Sequence, residues 1–123
     1  MKTLQLQSCV DDEGYIECAL FEVEIADPGA DEVLIEVEAA PINPSDLGLM
    51  FGIADTDTAE ACERNGYPAV RVPLPPALYK AMAARQGLWL PAGNEGAGKV
   101  IAAGESDGAQ ALLGKRVGAF GGE

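Results

Sequence analysis

The sequence predicts a mainly β protein, a partly open antiparallel β-barrel with short helices. Apolar and polar residues alternate with a period of two in several short runs, which places one face of each strand in a core and the other in water. The 15 glycines and 8 prolines among 123 residues indicate many turns. Because helical character is confined to two short segments, we expect strands joined by turns rather than a helical bundle.

The predicted strands come early and late in the chain. Six segments have strand character: residues 3–7, 21–25, 33–39, 88–90, 98–103 and 116–120. Asp27, Pro28 and Gly29 form a strong turn signal between the second and third segments. The sixth segment runs almost to the last residue, so we expect that the polypeptide continues beyond it.

Asn43 is predicted to open a short helix that extends to about Met50. Asparagine is a favourable N-cap, Pro44 suits the first helical position, and the acidic Asp46 is stabilised by the positive end of the helix. Gly52 is expected to end it. A capped surface helix is a sufficient structural explanation for these residues, which are also candidates for function.

The segment that follows this helix is predicted to be largely irregular. Residues 53–66 are polar and acidic and read as a loop with one helical turn after Thr58, and residues 70–76 read as extended chain. Residues 76–86 contain good helix formers, and Gly87 is a stop signal.

The chain is strongly acidic, with 20 acidic and 8 basic residues and a formal net charge of −12. Such a surface repels phosphate backbones and anionic lipids, so we expect no nucleic-acid or membrane partner. The sequence has neither a long apolar stretch nor a signal peptide. Cys9, Cys18 and Cys62 are an odd number at irregular spacing, which favours reduced thiols and a cytoplasmic location.

Three segments together carry a resemblance to a known family. Residues 32–47 read EVLIEVEAAPINPSDL, residues 91–104 read PAGNEGAGKVIAAG, and residues 113–120 read LGKRVGAF. In order and spacing they resemble the medium-chain dehydrogenase/reductase superfamily, which includes alcohol dehydrogenases, quinone oxidoreductases and enoyl reductases. The resemblance implies that residues 1–123 form one GroES-like catalytic domain, and that a Rossmann nucleotide-binding domain lies outside this chain.

Two departures from that family indicate a member without zinc. In zinc-dependent members the position matching Asn43 is a cysteine ligand and the position matching Asn94 is a histidine ligand. Amide side chains are poor ligands for Zn²⁺, and the chain contains no histidine and no C-x-x-C. We therefore expect no metal site.

The resemblance then implies an NAD(P)H-dependent oxidoreductase that transfers hydride to a conjugated carbonyl acceptor such as a quinone or an enone. It implies NADP as the cofactor, bound mainly by the Rossmann domain, and a homodimeric full-length protein. The glycines of residues 93–98 follow the order G-x-x-G-x-G and not the dinucleotide-binding G-x-G-x-x-G. The isolated chain is therefore expected to be inactive.

The candidate site residues follow from the matched positions and from two aromatic residues near them. Catalytic roles fall to Asn43, Ser45 and Asp46, and cofactor contacts to Asn43, Pro44 and Ser45. Asp46 and Glu95 match acidic positions that either assist the chemistry or brace the loops. We also expect Asn43 and Glu95 to lie close together. The predicted substrate-binding residues are Met50, Tyr67, Trp89, Asn94 and Glu95.

Other interpretations remain open. Tyr67 and Trp89 either stack on a flat substrate or belong to the core. Residues 51–87, longer than the usual connection between the two motifs, either shape the substrate entrance or form a surface excursion. The alternative functions are a non-catalytic descendant of the family and a co-chaperonin-like GroES-fold binding module. An activity measurement distinguishes the enzyme from both.

Overall fold

The computed structural model describes residues 1–121, which are mainly β with short helices, as predicted. The strands form two antiparallel sheets, and within the described residues neither sheet closes on itself, consistent with a partly open β fold. The strands are β1 (Lys2–Val10), β2 (Tyr15–Glu24), β3 (Val33–Ala39), β4 (Glu60–Arg64), β5 (Tyr67–Pro73), β6 (Leu90–Pro91), β7 (Glu95–Ala103) and β8 (Arg116–Phe120). The helices are α1 (Pro44–Phe51), α2 (Pro76–Ala81) and α3 (Asp107–Gln110), and 3-10 turns span Thr56–Thr58 and Ala83–Arg85.

The chain divides into two compact units, each built on one sheet. The three-strand unit contains Met1, residues 25–42 and residues 93–121. Its strands lie in the order β3-β7-β8, so β7 is central. Gly98 in β7 pairs with Val37 in β3, and a Cβ at position 98 would overlap the backbone carbonyl of Glu36. Only glycine therefore permits this close approach of the two strands.

The five-strand unit contains residues 2–24 and 43–92, with strands in the order β4-β5-β2-β1-β6. One face of its sheet carries the apolar core of Val10, Ile16, Val72 and Leu74, which α1 and α2 cover with partly buried side chains. Alternate residues of the same strands point to the other face, which is charged and aromatic. Glu17 lies on that face.

The prediction of a loop over residues 53–66 is wrong at residues 60–64, which form the strand β4. The segment does contain one helical turn, a 3-10 turn at Thr56–Thr58, slightly earlier than predicted. Asn65 and Gly66 have positive φ values of 57° and 81°, which form the two-residue turn of a β4–β5 hairpin. Most of β4 is exposed. An edge strand of this kind lacks the apolar alternation that reveals a half-buried strand.

Several further boundaries differ from the predictions. β2 begins at Tyr15, before the predicted segment 21–25, and β7 begins at Glu95, before the predicted segment 98–103. The second helix ends at Ala81 and gives way to a 3-10 turn instead of continuing to Gln86. The turn predicted at Asp27 lies slightly later, where the Glu32 N–H donates to the Gly29 carbonyl at 3.0 Å. It leads from one sheet to the other and closes no hairpin.

Candidate functional site

The first turn of α1 holds four of the predicted site residues. Asn43 is the N-cap, as predicted, and its backbone N–H donates to Oδ2 of Asp46 at 2.7 Å. Asp46 is buried, whereas Pro44 and Ser45 are exposed. The Asp46 carboxylate therefore braces the start of the helix, and its catalytic role stays a prediction.

The last turn of α1 is anchored by side chains of the five-strand unit. Ser8 Oγ donates to the carbonyls of Leu49 and Met50 at 3.1 and 3.2 Å. Cys18 Sγ donates to the Met50 carbonyl at 3.3 Å, and Arg85 Nη2 donates to the Leu49 carbonyl at 2.9 Å. These bonds satisfy carbonyls that a helix end leaves without helical partners, and they attach α1 to the sheet.

The side chain of Met50 is half-buried, while its backbone carbonyl belongs to this anchor. Its substrate contact stays a prediction. Ser45 is not part of the anchor. Its exposed hydroxyl lies on the first turn of α1, at the opposite end of the helix.

Asn94 and Glu95 lie in the three-strand unit. Glu95 begins β7 directly opposite Phe120 of β8, and the Asn94 carbonyl accepts from the Gly121 N–H at 2.7 Å. Two residues further along β7, Ala97 pairs with Ala39 at the end of β3. The strands of all three motif segments therefore meet in one sheet.

A shallow depression of about 560 Å³ lies at this end of the three-strand sheet. It is lined by residues 39–41, 95–97 and 118–120, and we call it the motif depression. Most of its side chains are small and apolar, and the Phe120 ring is 77% exposed. Such a surface suits a flat apolar molecule, and Glu95 is the single ionisable side chain among the described residues that line it.

Trp89 lies elsewhere, at an open cleft of about 560 Å³ in the five-strand unit. Its ring packs against Phe21 with centroids 4.7 Å apart, and Cζ of Arg64 lies 5.1 Å from its ring centroid. Arg64 Nε and Nη2 bind the two carboxylate oxygens of the buried Glu17 at 2.6 and 3.0 Å. Protein contacts therefore engage the Trp89 ring, which agrees with a packing role.

The remaining wall of this cleft is acidic and holds a buried thiol. Asp11, Asp12 and Cys9 line it, and Oδ1 of Asp11 accepts two backbone N–H groups of its own turn. Burial raises the pKa of the Cys9 thiol, although a hydrogen bond with the Gly87 backbone opposes this rise. The thiol is therefore protonated at neutral pH and is not an activated nucleophile.

Tyr67 lies at the start of β5, half-buried and opposite Arg64 in the hairpin. It is not among the residues that line the Trp89 cleft or the motif depression. Its contact with a substrate stays a prediction.

The anchor of α1 and the Trp89 cleft lie on opposite faces of the five-strand sheet. The anchor residues Ser8 and Cys18 point to the face that α1 covers, whereas Cys9 and Glu17 alternate with them and face the Trp89 cleft.

The predicted site residues are divided between the two units. Asn43 belongs to the five-strand unit and Glu95 to the three-strand unit. Their proximity stays a prediction.

Sequence reasoning missed the Glu17–Arg64 pair, which lies 47 residues apart in sequence. One signal was present, since Glu17 interrupts the otherwise apolar run of residues 16–20. A second signal was the Asn65-Gly66 dipeptide, which is a strong hairpin signal. The hairpin places β4, which ends at Arg64, beside β5.

Among residues 1–121 no group of three histidine, cysteine or acidic side chains is placed so as to hold a metal ion. No helix in the same range is long and apolar enough to cross a membrane. The zinc-independent character of the protein stays a prediction.

No protein-family model matches the chain, and no curated protein matches its sequence. The resemblance to the medium-chain dehydrogenase/reductase superfamily therefore depends on the three motif segments alone.

Proposed function

We propose that this chain supplies the acceptor-binding side of a zinc-independent, NAD(P)H-dependent reductase of conjugated carbonyl compounds such as quinones or enones. The observation that carries the proposal is the motif depression. Its lining comes from three segments that are distant in sequence, and they are the segments on which the family resemblance depends.

The depression offers a flat acceptor apolar contact. The rings of a quinone would lie against Ala39, Ala97 and the exposed Phe120, and so remove apolar surface from water. Reduction of the acceptor needs a hydride and a proton. Because the depression is shallow and open to water, we assign the proton to solvent.

We assign the main cofactor site outside the described residues. A bound nicotinamide cofactor supplies the hydride in this class of reaction. Residues 93–98 lead into β7, and Gly96 and Gly98 lie within that strand. A pyrophosphate cradle needs a glycine turn at the start of a helix. The groups of this chain that we assign to the cofactor are Asn43 and Ser45 at the first turn of α1.

Acceptor binding is testable on the chain itself by NMR titration with a soluble naphthoquinone. We expect the largest shift changes at residues 39–41, 95–97 and 118–120. Phe120→Ala should weaken binding about three- to tenfold, from the 0.5–1.5 kcal/mol of an aromatic contact. Leu113→Ala is the matched control, because Leu113 is 49% exposed and lies in the same unit outside the depression. Shift changes confined to the Trp89 cleft would contradict the proposal.

Reductase activity is tested on the full-length gene product by following NADPH oxidation in the presence of quinones and enones. Activity without added zinc, and retained after chelation, is the expected result. Full-length protein that binds neither NADPH nor a quinone would favour the non-catalytic alternative.

A further inference from the structure

Within residues 1–121 the strand β4 lies at one edge of the five-strand sheet and pairs with β5 alone. The Asn65–Gly66 turn makes Arg64 and Tyr67 a hydrogen-bonded pair, since they flank a two-residue loop. Hydrogen-bonded and non-hydrogen-bonded pairs alternate along an antiparallel ladder. The backbone N–H and C=O groups of Ala61 and Glu63 therefore point away from β5, toward the open edge.

This edge strand is short and carries three charged residues, but it lacks two other features that protect an edge strand, proline and lysine. Ala61 and Glu63 are exposed, and residues 60–64 contain no proline or lysine. Unpaired N–H and C=O groups on such a strand are a template for pairing with another chain. The side chains of β4 indicate which chain fits.

The sequence of β4 is self-complementary when two copies pair antiparallel. The outward backbone groups allow a twofold axis at Ala61, Cys62 or Glu63. An axis at Glu63 places two glutamates opposite each other, which is repulsive, and an axis at Ala61 places Glu60 opposite the partner's Cys62. An axis at Cys62 places Glu60 opposite the partner's Arg64 twice. Opposite charges in facing positions stabilise strand pairs, so charge selects the axis at Cys62.

We propose that two copies of this chain associate through β4, antiparallel about a twofold axis at Cys62, so that two five-strand sheets join edge to edge. Ala61 pairs with the partner's Glu63, and the symmetric pair makes four backbone hydrogen bonds in all. This association does not depend on the proposed reductase function.

The charges are already oriented for this contact. Arg64 uses Nε and Nη2 to bind Glu17, and a guanidinium has further N–H donors at Nη1. Glu60 binds Arg71 through Oε2 at 3.0 Å, and its other oxygen can accept from the partner's Arg64. The dimer therefore joins two existing ion pairs into one row of alternating charge, and networks of this kind contribute more than isolated surface pairs.

The first test is sedimentation equilibrium of the whole chain over a range of concentrations. One strand pair buries much less area than a standard interface, so we expect a weak dimer in the high micromolar range. Ala61→Pro removes an outward N–H that the β4–β5 ladder does not use. It should weaken dimerisation about tenfold or more, while Ala61→Val keeps the N–H and should leave it unchanged. Thermal melts check that both variants are folded.

The second test is cross-linking at Cys62, which remains informative if Ala61→Pro fails to fold. Burial raises the pKa of the Cys62 thiol, so an added oxidant is used. Diamide takes two electrons and two protons from two thiols, which leaves a disulfide and the reduced hydrazine. Facing Cα atoms in a non-hydrogen-bonded pair are about 4.5 Å apart, within the range for a disulfide. We expect covalent dimers in the wild type and none in Cys62→Ser.

Three results would each overturn the proposal. The first is a wild-type chain that remains monomeric at about 1 mM, where a weak millimolar contact is already half formed. The second is a folded Ala61→Pro variant that dimerises as tightly as the wild type. The third is a dimer in solution that diamide does not link through Cys62.

Discussion

The two units reach a stable packing by different means. The five-strand unit buries branched side chains, with Val10, Ile16 and Val72 at most 1% exposed beneath α1 and α2. In the three-strand unit Val100 is the single large side chain of the described residues that is buried to this degree. Its strands instead depend on glycines that allow the backbones to approach closely. One unit is therefore sensitive to lost volume and the other to added volume.

Two glycines in the three-strand unit carry this requirement. A Cβ at position 98 would overlap the Glu36 carbonyl, and a Cβ at position 104 would overlap the carbonyls of Gly29 and Ala30. All these obstacles are backbone atoms, which cannot move aside as a flexible side chain can. Gly98 and Gly104 of the second motif segment are thus explained by packing as well as by any function.

The largest expected effect is that of Gly98→Ala. We expect a loss of about 3–5 kcal/mol, in the range of severe core defects, because β3 and β7 must separate. Gly118→Ala is the control, since a Cβ there meets no described atom within 4 Å and should change stability by less than about 1 kcal/mol. Amide hydrogen exchange in β3, β7 and β8 measures the stability of this unit in both variants. Equal protection in the two variants would contradict this account of the three-strand unit.

A smaller effect is expected in the five-strand unit for Ile16→Ala. The side chain is 1% exposed, and its removal should cost about 2–4 kcal/mol through lost burial and the cavity left behind. Ile53→Ala removes the same atoms from a residue that is 85% exposed, so it should have little effect. Urea denaturation followed by the fluorescence of Trp89, the one tryptophan of the chain, reports on this unit. Equal midpoints in the two variants would show that side-chain volume does not limit this unit.

The elements that were predictable are those with a local sequence signal. Residues 33–39 carry apolar side chains at alternate positions, which is typical of a strand, and Asn43 signals the helix start by its own chemistry. Both signals are local. They predicted the bounds of β3 and the N-cap of α1 correctly.

Of the features that were missed, β4 lacks a periodic pattern of its own, and the other two depend on partners distant in the sequence. β4 is exposed along most of its length, so no period marks it, and it exists because β5 lies beside it. The Glu17–Arg64 pair needs β2, β5 and β4 to lie side by side in that order. The motif depression likewise needs residues 39, 97 and 120 to meet through strand pairing, which no single segment encodes.

The smallest expected effect is a pH dependence confined to the five-strand unit, which contains all three cysteines. Burial raises the pKa of Cys18 above its usual value of about 9, although a hydrogen bond with Ser8 opposes this. Above that pH an unfolded thiol ionises while the folded one keeps its proton, so unfolding releases a proton. The free energy of unfolding is therefore undiminished below about pH 9 and falls as the pH rises through the folded pKa.

Cys18→Ala should reduce the steepness of this decline, because it removes one of the three thiols that ionise on unfolding. Urea denaturation followed by Trp89 fluorescence at several values between about pH 7 and pH 10 gives the two slopes. The lysines and tyrosines are the same in both proteins, so the difference between slopes isolates Cys18. The lost hydrogen bond to the Met50 carbonyl lowers stability at every pH and leaves the slope unaffected. Parallel curves for the two proteins would show that Cys18 ionises as readily in the folded unit as in the unfolded chain.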